Sequence, residues 1–235
     1  MPTYNEAENI LEVLGLVRES APEADILVVD DGSPDGTADL AEGWGKDHGG
    51  LQVLRRTEKS GLGSAYRAGF REGLKQGYDI LIEMDSDLSH DPAALPSLIH
   101  SVEDGASLAI GSRYVPGGKI PNWKWHRKFL SRGGNIYAGL VLGLEVRDAT
   151  AGYRAYASNA LSKIDLDTIK ADGYGFQIEM AYEVKRNEGR IVEVPISFTD
   201  RVRGESKMSS RIVVEALVLV TWWGLRDRVL RRRPR

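Results

Sequence analysis

Residues 25–37, DILVVDDGSPDGT, carry the pattern that decides the fold. Residues 25–30 are a short, apolar and β-branched run, which predicts a buried strand, and the Asp-Asp-Gly-Ser turn after it ends the strand. The pattern returns at residues 79–87, DILIEMDSD, where a strand again runs into an acidic turn. Similar runs at residues 51–54 and 107–111 alternate with helical patterns. This alternation predicts an α/β fold with a mostly parallel sheet and helices on both faces.

The other predicted elements are less regular in the second half of the chain. Asn5 and Glu8 resemble a capping box that opens the first helix. The segment Pro2–Glu6 reads as the turn after a first strand, and no strand precedes it, so we expect the sheet to lack its first strand. The helices are predicted over residues 6–20, 37–48, 62–75, 92–102, 127–142 and 176–187, and two late strands over residues 191–194 and 197–200.

Composition limits the classes of function. The 235 residues suit a single α/β domain, and a net charge of −3 does not favour a nucleic-acid partner. The chain has no cysteine, which excludes disulfides and thiolate metal sites. No signal peptide is predicted, because Met1 is followed at once by the polar stretch Thr3–Asn9. No transmembrane helix is predicted either, because the apolar run Ile212–Leu225 contains Glu215 and is shorter than the roughly 20 residues of a bilayer span. We therefore expect a cytoplasmic protein.

Acidic turns follow two of the predicted strands. Asp85 and Asp87 leave the strand at i and i+2, at the edge where open α/β sheets bind ligands. Two carboxylates in that position could hold Mg²⁺ or Mn²⁺ together with a diphosphate, or they could form a solvated loop that caps the next helix. Asp30 and Asp31 could accept hydrogen bonds from a nucleobase or ribose, or only shape a turn. Two acidic turns on one edge favour a ligand site over either turn alone.

An ordered set of motifs runs through nearly the whole chain and resembles family 2 glycosyltransferases, specifically the dolichol-phosphate and polyprenol-phosphate mannosyltransferases. This resemblance implies a GT-A three-layer α/β/α sandwich. It also implies inverting transfer of mannose from GDP-mannose to a polyprenyl phosphate, with Mg²⁺ or Mn²⁺ as cofactor. The motifs are PTYNE (2–6), VVDDGSPDGT (28–37), DSD (85–87), GSRY (111–114), RKFLSRGGN (127–135), DATAGYRAY (148–156), GYGFQIEM (173–180) and RGESKM (203–208).

The resemblance also implies roles for individual residues. Asp87 would be the principal metal ligand, with Asp85 beside it. Ser89, where relatives often have glutamine, would be a weak one. Asp85, Asp87 and Arg113 would be the catalytic residues, and Arg113, Arg127 and Ser131 would hold the acceptor phosphate. The donor nucleotide would be contacted by Pro2, Tyr4, Glu6, Val29, Asp31, Asp85, Ser86 and Asp87, and by Arg201 and Lys207 of a loop that closes over the diphosphate.

The residue types suit this chemistry independently of the resemblance. A departing nucleoside diphosphate needs a metal and fixed cations, and the planar guanidinium of arginine binds phosphate oxygens in pairs. Without the motif, Arg113 and Arg127 would read as solvated surface arginines. A phosphate monoester has a second pKa of about 6 and is largely dianionic at neutral pH, so no general base is nominated. His90 and His126 therefore read as structural or solvated histidines.

We divide the chain into a catalytic domain at residues 1–210 and, at residues 211–235, an amphipathic helix with an arginine-rich tail. Apolar residues, Trp222-Trp223 and a basic flank suit a helix on the cytoplasmic face of an anionic membrane. A core helix with a solvated tail would show the same pattern, and a separate membrane-spanning partner could supply the anchor. Six of the last ten residues are arginine, at positions 226, 228, 231, 232, 233 and 235.

Three rival functions fit parts of the pattern. A polyprenyl-phosphate glucosyltransferase would use UDP-glucose on the same fold, and no single residue distinguishes it. An inactive scaffold for membrane partners is disfavoured by the intact acidic and basic positions. A nucleotide-dependent oxidoreductase is disfavoured because the Gly61-Leu62-Gly63 segment lacks the third glycine of the dinucleotide-binding motif.

Overall fold

The computed structural model describes residues 1–200 and 210–231. Its strands are β1 Pro2–Thr3, β2 Ile26–Asp30, β3 Leu51–Arg55, β4 Ile80–Glu83, β5 Leu108–Ser112, β6 Arg154–Ala157 and β7 Ile191–Pro195. Its helices are α1 Ile10–Ser20, α2 Thr37–His48, α3 Leu62–Gln76, α4 Leu95–Glu103, α5 Trp125–Leu142, α6 Ser158–Leu161, α7 Gly173–Arg186 and α8 Ser210–Arg231. A 3₁₀ turn at Pro92–Ala94 precedes α4.

The strands form two groups. β1, β2 and β3 are parallel and lie in that order, whereas the second group has the order β4-β6-β5-β7. In the second group β6 runs antiparallel to both β4 and β5, and β7 is parallel to β5. The Ser86 hydroxyl donates to the Pro2 carbonyl at 3.0 Å and so joins the carboxyl ends of β4 and β1. The acidic turns after β2 and β4 consequently lie near one edge of the fold.

Side chains alternate between two apolar cores, as the pleat of a strand requires. On β5, Leu108 and Ile110 belong to one core, and Ala109 between them belongs to the other. The first core is covered by α3, α5, α7 and α8, and the second by α1, α2 and α4. This arrangement confirms the predicted three-layer α/β/α sandwich with a mostly parallel sheet.

The amino-terminal segment differs from its prediction. Pro2 and Thr3 pair in parallel with Val29 and Asp30, so the stretch that we read as a turn contains a two-residue first strand. The first helix begins at Ile10 rather than residue 6. The chain between them wraps over the acidic turn, and the N–H groups of Asn5, Glu6 and Ala7 donate to the side chains of Ser33, Thr37 and Asp35. Asn5 has a φ of 58°, in the left-handed region, and the N-cap of the helix is Asn9, so the Asn5–Glu8 capping box is wrong.

In the second half of the chain one predicted strand is wrong and one strand was not predicted. Residues 197–200 do not form a strand; Ser197 and Phe198 make only isolated bridges with Lys119 and His90. The strand β6 was missed because it begins with Arg154, a residue type that is almost never fully buried without partners. Arg154 is fully buried, lies opposite Glu83 in the register, and donates to three backbone carbonyls, those of Ala149, Ala151 and Gln177.

The apolar run Ile212–Leu225 lies within α8, which packs against α5 and α7 rather than against the sheet. Ala216, Val220 and Trp223 are buried in that contact. Across the described residues, no helix is both long and apolar enough to cross a membrane. The domain boundary at residue 210 coincides with the start of α8 and stays a prediction.

Glu179 of α7 predicts a pH dependence of stability. Its side chain is buried, one oxygen accepts from the Ala171 N–H at 3.2 Å, and burial raises the pKa of Glu179 above its ordinary value. A carboxyl whose pKa is higher in the folded state stabilises the fold below the unfolded pKa and loses that contribution as pH rises. We expect the free energy of unfolding, relative to a Glu179→Gln variant, to decrease as pH rises from about 4.5. Urea titrations of both proteins across this range measure it; parallel pH profiles would contradict it.

Candidate active site at the strand ends

A cleft of about 320 Å³ opens beyond the carboxyl ends of the strands. One wall carries Asp85, Asp87, Ser89 and His90, which follow β4. A second wall carries Arg113, Trp123 and Arg127, with Asp200 beside them. The structure thus brings the predicted metal ligands and both predicted phosphate-binding arginines into one cavity.

The acidic wall is shaped by a tight turn. Leu88 has a φ of 64°, in the left-handed region, and the Ser89 N–H donates back to Asp87 Oδ1 at 3.0 Å. Asp87 is buried, whereas Asp85 is half-buried and accepts from the Tyr66 hydroxyl at 3.1 Å. Burial, and next the charge of Asp85, raise the pKa of Tyr66 well above its ordinary value, so the phenol stays a donor. Asp85 and Asp87 are therefore held in fixed positions.

The donor atoms of this wall fit a hard divalent cation. The Ser89 hydroxyl oxygen is buried and has no hydrogen-bond partner, which suits an oxygen reserved for a ligand or its water. Mg²⁺ and Mn²⁺ prefer carboxylate, hydroxyl, water and phosphate oxygens. In the described part of the chain no three His, Asp or Glu side chains enclose an ion. Asp85, Asp87 and Ser89 are therefore the residues of this wall that could hold such an ion.

His90 has a structural role in the turn. Its Nδ1 accepts from the Asp85 N–H at 3.1 Å, and its ring stacks on Tyr153 and meets Phe198 edge-on. Burial lowers the pKa of His90, which agrees with a neutral ring that accepts at Nδ1. This geometry supports the structural reading of the histidine.

Arg113 is the centre of the basic wall. Its Nε and one NH₂ nitrogen donate to the two oxygens of Asp148 at 2.7 and 2.6 Å, and its backbone N–H donates to the same carboxylate. That NH₂ nitrogen also donates to Thr150 Oγ1 at 2.9 Å. The guanidinium lies about 5.5 Å from the rings of Trp123 and Phe198. Both charges are buried, so the reading of Arg113 as a solvated surface residue is wrong.

Arg127 is more exposed and has a looser partner. It donates to Asp200 at 2.8 Å and lies 3.8 Å from the centre of the Trp123 ring, whose indole N–H donates to the same Asp200 oxygen. The surface pair leaves the guanidinium accessible to an anion, since only one of its nitrogens contacts Asp200. Arg127 is therefore the more accessible of the two cations in the cleft.

Asn135 and Thr150 connect the two arginine-bearing segments. The Asn135 amide donates to the Ser131 carbonyl at 2.9 Å and to Thr150 Oγ1 at 3.2 Å, and its oxygen accepts from the Thr150 N–H. Thr150 in turn contacts Arg113. This chain of hydrogen bonds ties α5, which carries Arg127 and Ser131, to the loop that holds Arg113.

A second cavity, an apolar groove of about 420 Å³, adjoins the cleft and lies between α5, α7 and α8. The two cavities share Trp123, Arg127, Thr150 and Tyr174. Ser131 lines the groove rather than the cleft. The other lining residues are Leu130, Gly134, Tyr137, Ile178, Val213, Ala216, Leu217 and Val220. Arg127 therefore lies where the cleft meets the apolar groove.

The predicted nucleoside contacts lie around β1 and β2 rather than in the cleft wall. Asp31 is buried 3.1 Å from Arg56, and burial raises the pKa of Asp31. The Tyr4 ring lies 4.3 Å below the Lys59 ammonium, and Glu6 accepts from Asn9. Val29 is buried within β2 and Pro2 belongs to β1, next to Ser86. Arg201 and Lys207 lie outside the described residues, as do residues 232–235 of the arginine-rich tail.

Sequence reasoning missed the residues that fix the cations. Asp148, Thr150 and Asn135 lie inside quoted motifs, and Trp123 and Asp200 lie outside them. Asp148 could have been predicted from the need of a buried arginine for a counter-ion, since Arg113 lies at a strand end within a motif. Asp148 is the first residue of the motif DATAGYRAY. No periodicity marks such a pair, because its members are 35 positions apart.

The glycine pair at residues 61–63 does not form a pyrophosphate site. At the start of α3 the Gly63 N–H donates to Asp172 Oδ1 at 2.6 Å. A Cβ on Gly63 would lie 2.8 Å from the Ala171 carbonyl oxygen, so the glycine serves close packing. A carboxylate occupies the helix end that a dinucleotide would need, which counts against the oxidoreductase alternative.

Comparison with known proteins agrees with this geometry. Residues 1–165 match the family described as Glycosyl transferase family 2. The chain is 54% identical to the undecaprenyl-phosphate mannosyltransferase of Micrococcus luteus, over 97% of the chain and 93% of that protein. It is 50% identical to the polyprenol monophosphomannose synthase of Mycolicibacterium smegmatis, over 99% and 88%. Among solved structures, glucosyl-3-phosphoglycerate synthase from Mycobacterium tuberculosis with Mn²⁺, UDP-glucose and phosphoglyceric acid superposes with a TM-score of 0.67, at 20% identity, over 94% of this chain and 78% of that one.

Proposed function

The chain belongs to glycosyl transferase family 2, and from this premise we propose that it transfers mannose from GDP-mannose to a polyprenyl phosphate with inversion at the anomeric carbon. The enzyme class and the mannosyl transfer to a polyprenyl phosphate follow from relatives that share half or more of its residues over nearly its whole length. The observation that carries the proposal is the cleft itself: it is lined by carboxylates and by two arginines, and Arg127 also lines the adjoining apolar groove.

The acidic wall is the donor side in this proposal. Asp87 and Asp85 would hold Mg²⁺ or Mn²⁺, with Ser89 as an additional oxygen. The ion, when bound, would neutralise charge on the diphosphate as the bond to the sugar breaks. The fixed turn between Asp87 and Ser89 orients these oxygens before the substrate binds, so little reorganisation is required. Tyr4, Glu6 and Asp31 are proposed to contact the nucleoside, and Arg201 and Lys207 the diphosphate.

The basic wall is the acceptor side. Arg127 and Arg113 would bind the phosphate of the polyprenyl phosphate, with Ser131 at the entrance to the groove. A phosphate oxygen attacks the sugar C1 from the face opposite the diphosphate, so a C–O bond forms as the C1–diphosphate bond breaks and the configuration inverts. A phosphate monoester with a second pKa of about 6 needs no base to deprotonate it. The neutral, hydrogen-bonded His90 agrees with a mechanism that rests on positioning and electrostatics.

The apolar groove suits the first part of the polyprenyl chain. Leu130, Tyr137, Ile178 and Val220 line it directly beyond Arg127. Burial of hydrocarbon contributes about 0.8 kcal/mol per CH₂ group, so a groove of this size favours a lipid phosphate over a water-soluble one. A peripheral position on the cytoplasmic face of a membrane, with or without a separate membrane-spanning partner, is part of the same proposal.

Nucleotide binding tests the donor. With Mg²⁺ present, isothermal titration calorimetry should show tighter binding of GDP than of UDP, and EDTA should weaken GDP binding. UDP binding that is tighter than GDP binding would favour the polyprenyl-phosphate glucosyltransferase instead. Inversion is tested on the isolated lipid product, whose anomeric carbon should have the opposite configuration to that of GDP-mannose by NMR. Retention would exclude a direct in-line displacement.

A further inference from the structure

Helix α5 carries an apolar stripe that faces solvent. Trp125, Phe129, Ile136 and Leu140 are 79%, 75%, 63% and 76% exposed. At about 100° per residue these four positions fall within a sector of about 60° on the helix surface. Contiguous exposure of this kind is unusual for a face in contact with water and marks an interaction surface.

Helix α8 carries a second stripe of the same kind. Val214, Val218, Trp222 and Leu225 are 58%, 62%, 62% and 55% exposed. These positions fall within a sector of about 80°. Ala216, Val220 and Trp223 on another side of the same helix are buried, so the stripe is distinct from the packed face.

The two stripes face the same way. Tyr137 Oη and Thr221 Oγ1 are 2.6 Å apart, and Gly224 packs so closely on Val141 that an added Cβ would collide. From the first contact to the second, the residue number increases on both helices, so α5 and α8 lie side by side and are parallel. Around the α5 axis, the residues that contact α8 lie about 110° from the α5 stripe. Around the α8 axis, the residues that contact α5 lie about 90° from the α8 stripe, in the opposite direction of rotation. For parallel neighbours this places both stripes on one side of the helix pair.

The charges that border the two stripes indicate which kind of partner the surface would bind. Lys124, Lys128 and Arg132 recur every four residues along one border of the α5 stripe, on the side away from α8. Trp125 and Trp222 supply amphipathic rings of the kind enriched at membrane interfaces. One exposed acidic residue, Glu215, borders the α8 stripe. An apolar face with a basic border matches an anionic lipid surface better than a second copy of the chain, which would bring the same basic border against itself.

We propose that the α5–α8 face docks on the surface of an anionic phospholipid bilayer. This deepens the proposed function, since it places the groove between these helices beside the membrane that holds a polyprenyl phosphate. Leu130 of α5 and Leu217 of α8 line the groove and are themselves 60% and 38% exposed, so its mouth lies at the helix pair.

Vesicle co-sedimentation without any substrate tests the docking. The wild-type chain should bind vesicles of phosphatidylcholine with phosphatidylglycerol more tightly than phosphatidylcholine alone. A variant with Trp125→Ser, Phe129→Ser and Leu140→Ser should bind at least about tenfold more weakly. The matched control, Leu11→Ser with Leu40→Ser, changes leucines that are 45% and 38% exposed on α1 and α2, and it should bind like wild type.

Three results would overturn the inference: no vesicle binding by the wild type, equal losses in both variants, or a wild-type dimer that the α5 changes convert to a monomer without affecting lipid binding. The proposed function is read separately, from transfer to a short-chain polyprenyl phosphate in detergent. The α5 variant should retain that activity. Vesicle binding by a wild type that transfers no mannose would leave the docking intact and refute the proposed function alone.

Discussion

Replacing Asp87 with asparagine is expected to lower the turnover of mannosyl transfer by about a thousandfold while the protein stays folded. Asparagine is nearly isosteric and its oxygen can still accept from the Ser89 N–H, so the turn at Leu88 is preserved. The substitution removes the negative charge that is proposed to hold the cation against the diphosphate. Removing one preorganised electrostatic group from a buried site costs about a hundred- to a thousandfold in rate, and a metal ion contributes several kcal/mol.

The measurement is kcat at saturating donor and acceptor over a range of Mg²⁺ and Mn²⁺ concentrations, with a thermal unfolding curve for each protein. Asp91→Asn is the matched control, because Asp91 belongs to the same loop, is exposed and caps the 3₁₀ turn by accepting from Ala93. It should retain wild-type turnover. An Asp87→Asn enzyme with full activity and an unchanged metal requirement would remove Asp87 from the mechanism.

Replacing Asp148 with asparagine is expected to lower kcat/KM for the polyprenyl phosphate by about a hundredfold, with little change in GDP affinity. We propose Asp148 as a positioning residue: it accepts from Nε and from one NH₂ nitrogen of Arg113, and both side chains are buried. The asparagine side chain has one accepting oxygen where aspartate has two, so it cannot accept from both guanidinium nitrogens. We therefore expect the guanidinium to turn away from the position that would receive the acceptor phosphate. Removing one partner of a buried ion pair altogether costs about 3–5 kcal/mol, so Asp148→Ala should also unfold more readily than Asp148→Asn.

Different effects on acceptor KM and on GDP binding distinguish a positioning role of Asp148 from a general loss of structure. The KM for the acceptor should rise in Asp148→Asn, while GDP titrates as in the wild type. Asp167→Asn is the control, since Asp167 pairs with Arg71 on the exposed surface and such pairs contribute little. Equal loss of GDP and acceptor binding would indicate collapse of the loop, and an unchanged acceptor KM would show that Arg113 needs no fixed orientation.

Local signals in the sequence were sufficient for most of the fold. The runs at residues 25–30 and 79–84 are apolar, β-branched and end in acidic turns, and the structure has strands at Ile26–Asp30 and Ile80–Glu83. The helix that we predicted over residues 37–48 has those bounds in the structure. Such elements are specified by neighbours in sequence, so a pattern of a few residues predicts them.

Elements that depend on distant partners could not be predicted in this way. The charge of Arg154 makes the sequence of β6 resemble a loop. The burial of Arg154 is explained by Glu83 on the neighbouring strand and by three backbone carbonyls that accept from its guanidinium. The start of α1 is displaced because the preceding N–H groups donate to side chains about 30 positions away. Both differences come from tertiary contacts that outweigh local preference.

The same distinction between local signals and distant contacts applies to the candidate site. Asp85, Asp87, Arg113 and Arg127 lie at strand ends or in motifs, and the cleft contains all four. Asp148 and Asn135 fix those groups without a local signature of their own. The groove behind Arg127 needs three helices that are far apart in sequence, so it becomes visible only in the folded chain.

Mannosyl transfer to a polyprenyl phosphate is measured as the incorporation of radiolabelled mannose from GDP-mannose into an organic-extractable product. Purified protein receives the donor with Mg²⁺ or Mn²⁺, with or without polyprenyl phosphate, and a parallel sample receives EDTA. We expect labelled lipid only when the acceptor and a divalent metal are both present, and none from UDP-glucose. A folded protein that labels no lipid from GDP-mannose, or labels it equally in EDTA, would contradict the account.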